Sequence, residues 1–197
     1  MRSMILSVIL LLAAPASAAS LTVVVRDAEG RPVPDAVVAL TPAGGAAVKP
    51  GLFEVRQQNI QFDPYVVVVP VGAQVRFPNR DKVRHHVYSF SKAKKFELKL
   101  YGREEKPAVL FDKPGSVALG CNIHDRMRGY VRVVGTPHAA KTGGDGSVTL
   151  ELLPTGAASL SVWHPDLRAP GGEVARAVKL SGDSLELFSV TLRAPGS

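Results

Sequence analysis

The run 116–134, SVALGCNIHDRMRGYVRVV, decides how this chain is read. Its ends, SVALGC (116–121) and YVRVV (130–134), are short and alternate or carry β-branched residues, which is the pattern of strands in a sheet. Between them, the one cysteine of the chain, Cys121, stands three positions before His124, which stands three before Met127. A thiol, an imidazole and a thioether in one tight connection suit a soft or borderline metal, copper above all. The stretch therefore predicts two strands joined by a loop of metal donors.

Working outward, the same strand pattern recurs along the chain. LTVVV (21–25), AVVAL (36–40), YVVVV (65–69), AQVRF (73–77), HHVYSF (85–90) and KFELKL (95–100) precede the loop. SVTLELL (147–153), ASLSVWH (158–164) and LELFSVTL (185–192) follow it. Turn-forming runs such as DAEGRPVPD, VPVGA, DKPG and GGDG separate them, and no long stretch keeps a 3.6-residue period. Regular short strands with turns between them predict an all-β sandwich. Composition divides the chain further. A middle block, about 53–135, holds Cys121 and most of the Lys and Arg, while the flanks 19–50 and 136–197 are richer in Ala, Gly and Pro. The Ala/Gly-rich runs PAGGAAVKPG and GTPHAAKTGGDG read as the crossings between blocks.

The first 18 residues predict a cleavable signal peptide: Arg2, an apolar core from Met4 to Ala14, and the small-residue pattern ASA ending at Ala18. The apolar core is far short of the about 20 residues that a stable membrane span needs. Export to the periplasm follows as the expectation. With 46% apolar residues and a net charge of +7, the composition is globular with a basic surface, which favours an acidic partner. Nucleic acid is excluded by export and by the scatter of the basic residues. One cysteine rules out an internal disulfide and leaves Cys121 as a metal ligand, a core thiol, a nucleophile or a link to another chain.

Three donors do not close a coordination sphere. FPNRDKVRHHVYSF offers His85 or His86 as the fourth, and two His, one Cys and a weak axial Met make the blue-copper set. Here the chain resembles the cupredoxins, their amicyanin-like members most of all, over roughly 57–134. The resemblance implies a Greek-key sandwich and one mononuclear copper held by His85, Cys121, His124 and Met127. It puts His86 where the family usually has Asn, and it makes Asn79 the residue that ties the two ligand loops together by hydrogen bonds around the ligands. Ile123 stands where amicyanin-like loops carry Pro, leaving a backbone N–H there. The whole chain also resembles the methylamine utilisation proteins, and its flanks resemble a transthyretin-like, carboxypeptidase-regulatory sandwich into or against which the cupredoxin domain would be set.

The function implied is single-electron transfer without substrate chemistry. A second reading keeps the copper for delivery, storage or structural support, and the two separate on whether the metal cycles reversibly. Five histidines in total are too few for a second catalytic copper centre, so an enzyme is not expected. His138 and His164 read as structural. Arg80, Lys82, Arg84, Lys92, Lys94, Lys95, Arg126 and Arg128 form a basic crowd whose members near the ligand loops would steer an acidic redox partner, such as a cytochrome or a dehydrogenase.

Overall fold

A computed structural model describes residues 19–193. The predicted signal peptide, 1–18, lies outside the described residues. No described helix is long and apolar enough to cross a membrane.

The chain is all-β. Its strands are β1 (Ala19–Asp27), β2 (Val37–Pro42), β3 (Leu52–Glu54), β4 (Arg56–Gln58), β5 (Gln61–Asp63), β6 (Val66–Pro70), β7 (Ala73–Arg76), β8 (His85–Phe90) and β9 (Lys95–Tyr101). They continue as β10 (Ala108–Phe111), β11 (Gly115–Gly120), β12 (Arg128–Val134), β13 (Ala139–Lys141), β14 (Ser147–Leu153), β15 (Gly156–Trp163), β16 (Glu173–Leu180) and β17 (Ser184–Val190).

Two cores organise these strands. In the middle of the chain a five-stranded sheet, β6-β12-β11-β8-β9, and a three-stranded sheet, β10-β7-β3, enclose Val69, Val75, Phe77, Val87, Phe111, Val117 and Val131. The flanks build the other core between the sheets β14-β1-β17 and β13-β2-β15-β16. Strand β1 shows why this works. Its residues alternate strictly between buried and half-buried, so Leu21, Val23 and Val25 point into the core while Thr22 and Val24 point away. Because β1 pairs with β14 and β17, and β2 with β13 and β15, the two flanks belong to the same sheets despite the intervening middle block.

The two units meet at Val37, Ala39, Val66, Val134 and Trp163. Arg132 lies 5.4 Å above the Trp163 ring and donates to Glu173 at 2.6 Å, so one side chain bridges the junction. Trp163 is buried here, edge-on to Tyr130. The second crossing differs from expectation: it contains β13, which joins the flank sheet before the chain reaches GGDG.

Candidate metal centre

The two ligand-bearing segments are brought together by sheet pairing. Strands β11 and β12 form a hairpin whose last pair is Gly120 with Arg128, so residues 121–127 are its loop. The Met127 N–H donates to the His124 carbonyl at 2.8 Å and folds that loop back on itself. On the other side of β11, Gly120 pairs with Tyr88, which sets the start of β8, and with it His85, beside Cys121. Strand alternation then sends His85 and Val87 to one face of β8 and His86 and Tyr88 to the other, where His86 is still buried and Tyr88 half-buried.

The donor atoms of His85, Cys121 and His124 all lie within 4.8 Å of one another. The Cys121 Sγ is 3.6 Å from His124 Nδ1, and the two imidazoles sit 5.0 Å apart at 59°. His85 and Cys121 are buried and His124 is half-buried. Met127, 1% exposed, packs in the same core cluster as Cys121, and both line a cavity of about 460 Å³ with Tyr88, Phe90, Asn122 and Arg128.

One atom tests whether a metal fits. Among the described residues His85 Nδ1 is buried with no hydrogen-bond partner, an arrangement that costs free energy unless something occupies its lone pair; His86 Nδ1 is orphaned too, but of the two only His85 belongs to the donor cluster. The ring's other nitrogen, Nε2, lies 2.8 Å from Asp81 Oδ2. A metal-bound histidine commonly gives its second ring N–H to a carboxylate in this way, which fixes the tautomer and the ring angle. The orphaned nitrogen, the thiol and the second imidazole are a soft-to-borderline donor set that fits copper.

Asp81 was not singled out from the sequence, although it stands four residues before His85 in NRDKVRHHV. Its carboxylate also accepts the N–H groups of Asn59 at 2.8 Å and Ile60 at 3.0 Å. Burial would raise the Asp81 carboxyl, but the hydrogen bonds from Ile60, His85 and Asn59 outweigh it and hold the group below the usual carboxylate range.

Asn79 is buried and close to the site, but its expected role is corrected. Its side-chain amide donates to the carbonyls of Val83 at 2.7 Å and Tyr101 at 3.3 Å, and its oxygen accepts the Asp81 N–H at 2.8 Å. These bonds brace the loop before His85, and none of them reaches the Cys121–Met127 loop. A short Asn side chain bonds readily to backbone a few residues away, and here Val83 and Tyr101 take both amide protons while the Asp81 N–H takes one of the two acceptor positions of the oxygen. His86 turns away from the donor cluster, placing Nε2 2.9 Å from Glu97 Oε1 and its ring 5.7 Å from Tyr88. His164 is buried in the flank unit, where its Nδ1 accepts the Asp166 N–H at 3.1 Å. Lys82, Arg84 and Arg126 are exposed on the loops beside the ligands, with Val83 and Ile123 exposed among them, and Arg128 is exposed at the start of β12.

No protein-family model and no curated protein matches the chain. Among solved structures it is similar to a Cu-containing nitrite reductase from Thermus scotoductus, at 28% identity over 49% of this chain and a TM-score of 0.41. The match covers 25% of the nitrite reductase, so only a quarter of that protein's length is spanned. A reduced mutant of amicyanin matches at 22% identity over 51% of this chain and 99% of its own, with a TM-score of 0.40. A purple cupredoxin from Nitrosopumilus maritimus matches at 21% identity over 43% of this chain and 99% of its own, with a TM-score of 0.38. Likenesses this partial leave the chemistry of the site to its own donor atoms.

Proposed function

We propose that this chain is an exported copper protein of the cupredoxin kind that carries single electrons in the periplasm and transforms no substrate of its own. The observation that supports this best is the convergence of the His85, Cys121 and His124 donors within 4.8 Å, with a buried, orphaned His85 nitrogen among them. Together with Met127 they would hold one mononuclear ion. Copper bound there would supply a one-electron couple whose potential would answer to the Cys121 thiolate and the Met127 thioether.

The chain's own residues do the rest. Asp81 keeps the His85 lone pair directed inward, and the strands on both sides bury Cys121 and Met127 away from water. Ligands anchored on a strand and on a short hairpin loop would move little when the metal changes oxidation state, which would keep reorganisation small. His124 reaches the surface between Ile123 and the basic side chains Arg126 and Arg128, which makes it the exit for an electron. An acidic partner such as a cytochrome or a dehydrogenase would be drawn to that rim. The grouping with methylamine utilisation proteins, and the transthyretin-like kinship of the flanking sandwich, rest on the sequence resemblance alone.

The test is to load the purified protein with Cu(II) and to record visible absorption and EPR spectra beside those of Cys121→Ser. An intense thiolate-to-copper band with narrow hyperfine splitting, lost in the variant, is the expected result. A weak, tetragonal spectrum of nitrogen and oxygen ligands in the unmodified protein would refute the Cys121 assignment. Reversible cycling of the loaded protein separates electron transfer from copper delivery or storage.

A further inference from the structure

The hairpin β4–β5 carries a conformational oddity next to the metal centre. Gln58 pairs with Gln61, so Asn59 and Ile60 form a two-residue turn, with φ of 56° and 59°. Positive φ at both central positions is the type I′ hairpin turn, which normally selects Asn-Gly or Gly-Gly. Asn59 suits its place. Ile60 does not, because a β-branched side chain in the left-handed region clashes with its own backbone. Nor does burial compensate, since Ile60 is 47% exposed.

The conformation does achieve one thing. It aims two successive backbone N–H groups at one carboxylate, Asn59 at Asp81 Oδ1 and Ile60 at Asp81 Oδ2. Successive N–H groups of this kind form an anion-binding nest. Asp81 Oδ2 in turn faces His85 Nε2 at 2.8 Å. An ionised carboxylate can only accept, so the proton of the neutral imidazole is placed on Nε2 and the lone pair on the buried, unpartnered Nδ1.

The hairpin is itself anchored. Phe62 is buried in the middle core, and buried Gln57 donates through Nε2 to the Phe77 carbonyl at 3.1 Å. Gln57 also exchanges backbone bonds with the loop, its N–H to Pro78 at 2.9 Å and its carbonyl from Arg80 at 2.8 Å. Across the hairpin, Arg56 meets Asp63 at 2.7 Å. The nest is therefore fixed to the same loop that carries Asp81.

We propose that the Asn59–Ile60 turn is a positioning device for the metal centre: a preformed backbone nest that fixes the Asp81 carboxylate and, through it, the tautomer and ring angle of His85. The device rests on the proposed function for its purpose, though not for its geometry.

Its test reads the metal-free protein first. Nitrogen-15 NMR of the imidazoles should find His85 as the Nε2–H tautomer with a slowly exchanging proton. Replacing the turn by Gly-Gly (Asn59→Gly with Ile60→Gly) keeps both N–H groups and fits positive φ. It should preserve that tautomer and leave Cu(I) affinity, measured by chelator competition, within about twofold of the unmodified protein. Ile60→Pro removes one N–H and forbids the turn, and should speed the Nε2–H exchange and lower Cu(I) affinity by about 10–100-fold. Should Ile60→Pro fold poorly, Asp81→Asn, which has one acceptor oxygen in place of two, should give the same loss of affinity in an intact fold. A His85 Nδ1–H tautomer, a Gly-Gly turn as damaging as Pro, or unchanged affinity and exchange in Asp81→Asn would each overturn the proposal. If Cu(I) fails to bind any form while exchange still follows the turn, the positioning role stands and the copper reading falls.

Discussion

Gly129 and Gly120 both lie beside the metal loop, and the structure predicts opposite tolerance for a single added methyl group. A Cβ on Gly129 would stand 2.8 Å from the Phe62 Cβ and 3.3 Å from Cγ and Cδ2. That nearest contact falls about 0.6 Å short of the 3.4 Å at which ordinary van der Waals contact begins. The Phe62 Cβ is bonded directly to the backbone and cannot swing aside, so the β4–β5 hairpin must move, in a core that packs like a crystal. Overpacking of this kind costs about 1–3 kcal/mol. At about 2–4 °C per kcal/mol for a chain of this size, Gly129→Ala should lower the unfolding midpoint by about 2–12 °C. A Cβ on Gly120 would come nearer still, 2.7 Å from the Tyr88 Cζ and 2.8 Å from its hydroxyl. Those atoms are the far end of a half-buried side chain that can turn toward solvent. A shifted rotamer costs about 0.5–1.5 kcal/mol, and the better strand propensity of Ala offsets part of it, leaving a net loss below about 1 kcal/mol. Urea and thermal unfolding of the metal-free variants measure both. If Gly120→Ala proves as costly as Gly129→Ala, or costlier, distance alone governs these sites and the argument from which atom must yield is wrong.

Tyr101 is 2% exposed, and burial raises its phenol well above the ordinary tyrosine value, because the phenolate would lose its hydration. The unfolded chain therefore loses this proton first. Stability is level below pH about 10 and then falls by about 1.4 kcal/mol per pH unit until the folded group ionises. Tyr65, moved the same way to about 12 but 39% exposed, adds less. Urea midpoints from pH 9 to 11.5 should show the decline, and Tyr101→Phe should flatten most of it; an equal slope in the variant would remove Tyr101 as the cause. For the basic rim, electron exchange of the copper-loaded protein with anionic hexacyanoferrate should slow as salt rises, with less slowing after Arg126→Glu and Arg128→Glu. A salt dependence unchanged by the double substitution would move the contact away from His124.

The elements legible in the sequence are those in which local pattern and tertiary role agree. β1 alternates because one face is core, and its pattern survives in LTVVV; HHVYSF and CNIHDRM announce donors because the ligands sit at a strand start and within one hairpin loop. β16, EVARAVKL, was missed because it is an outer strand with only Leu180 fully buried, which leaves it no clean alternation. The β4–β5 hairpin was missed for a stronger reason. Its strands are three residues each, and its turn lacks the glycine by which a type I′ turn is recognised. Asp81 was equally hidden, since its value depends on a turn 21 residues upstream, beyond any local window. Asn79 misled for the converse reason: motif position assigned it a distant partner, whereas its amide found backbone four residues away. Local and global preference normally reinforce one another, and the places where they conflict tend to be functional. Ile60 is such a conflict, an exposed β-branched residue in a left-handed turn, and what the turn does with its two N–H groups is hold the carboxylate behind a metal ligand.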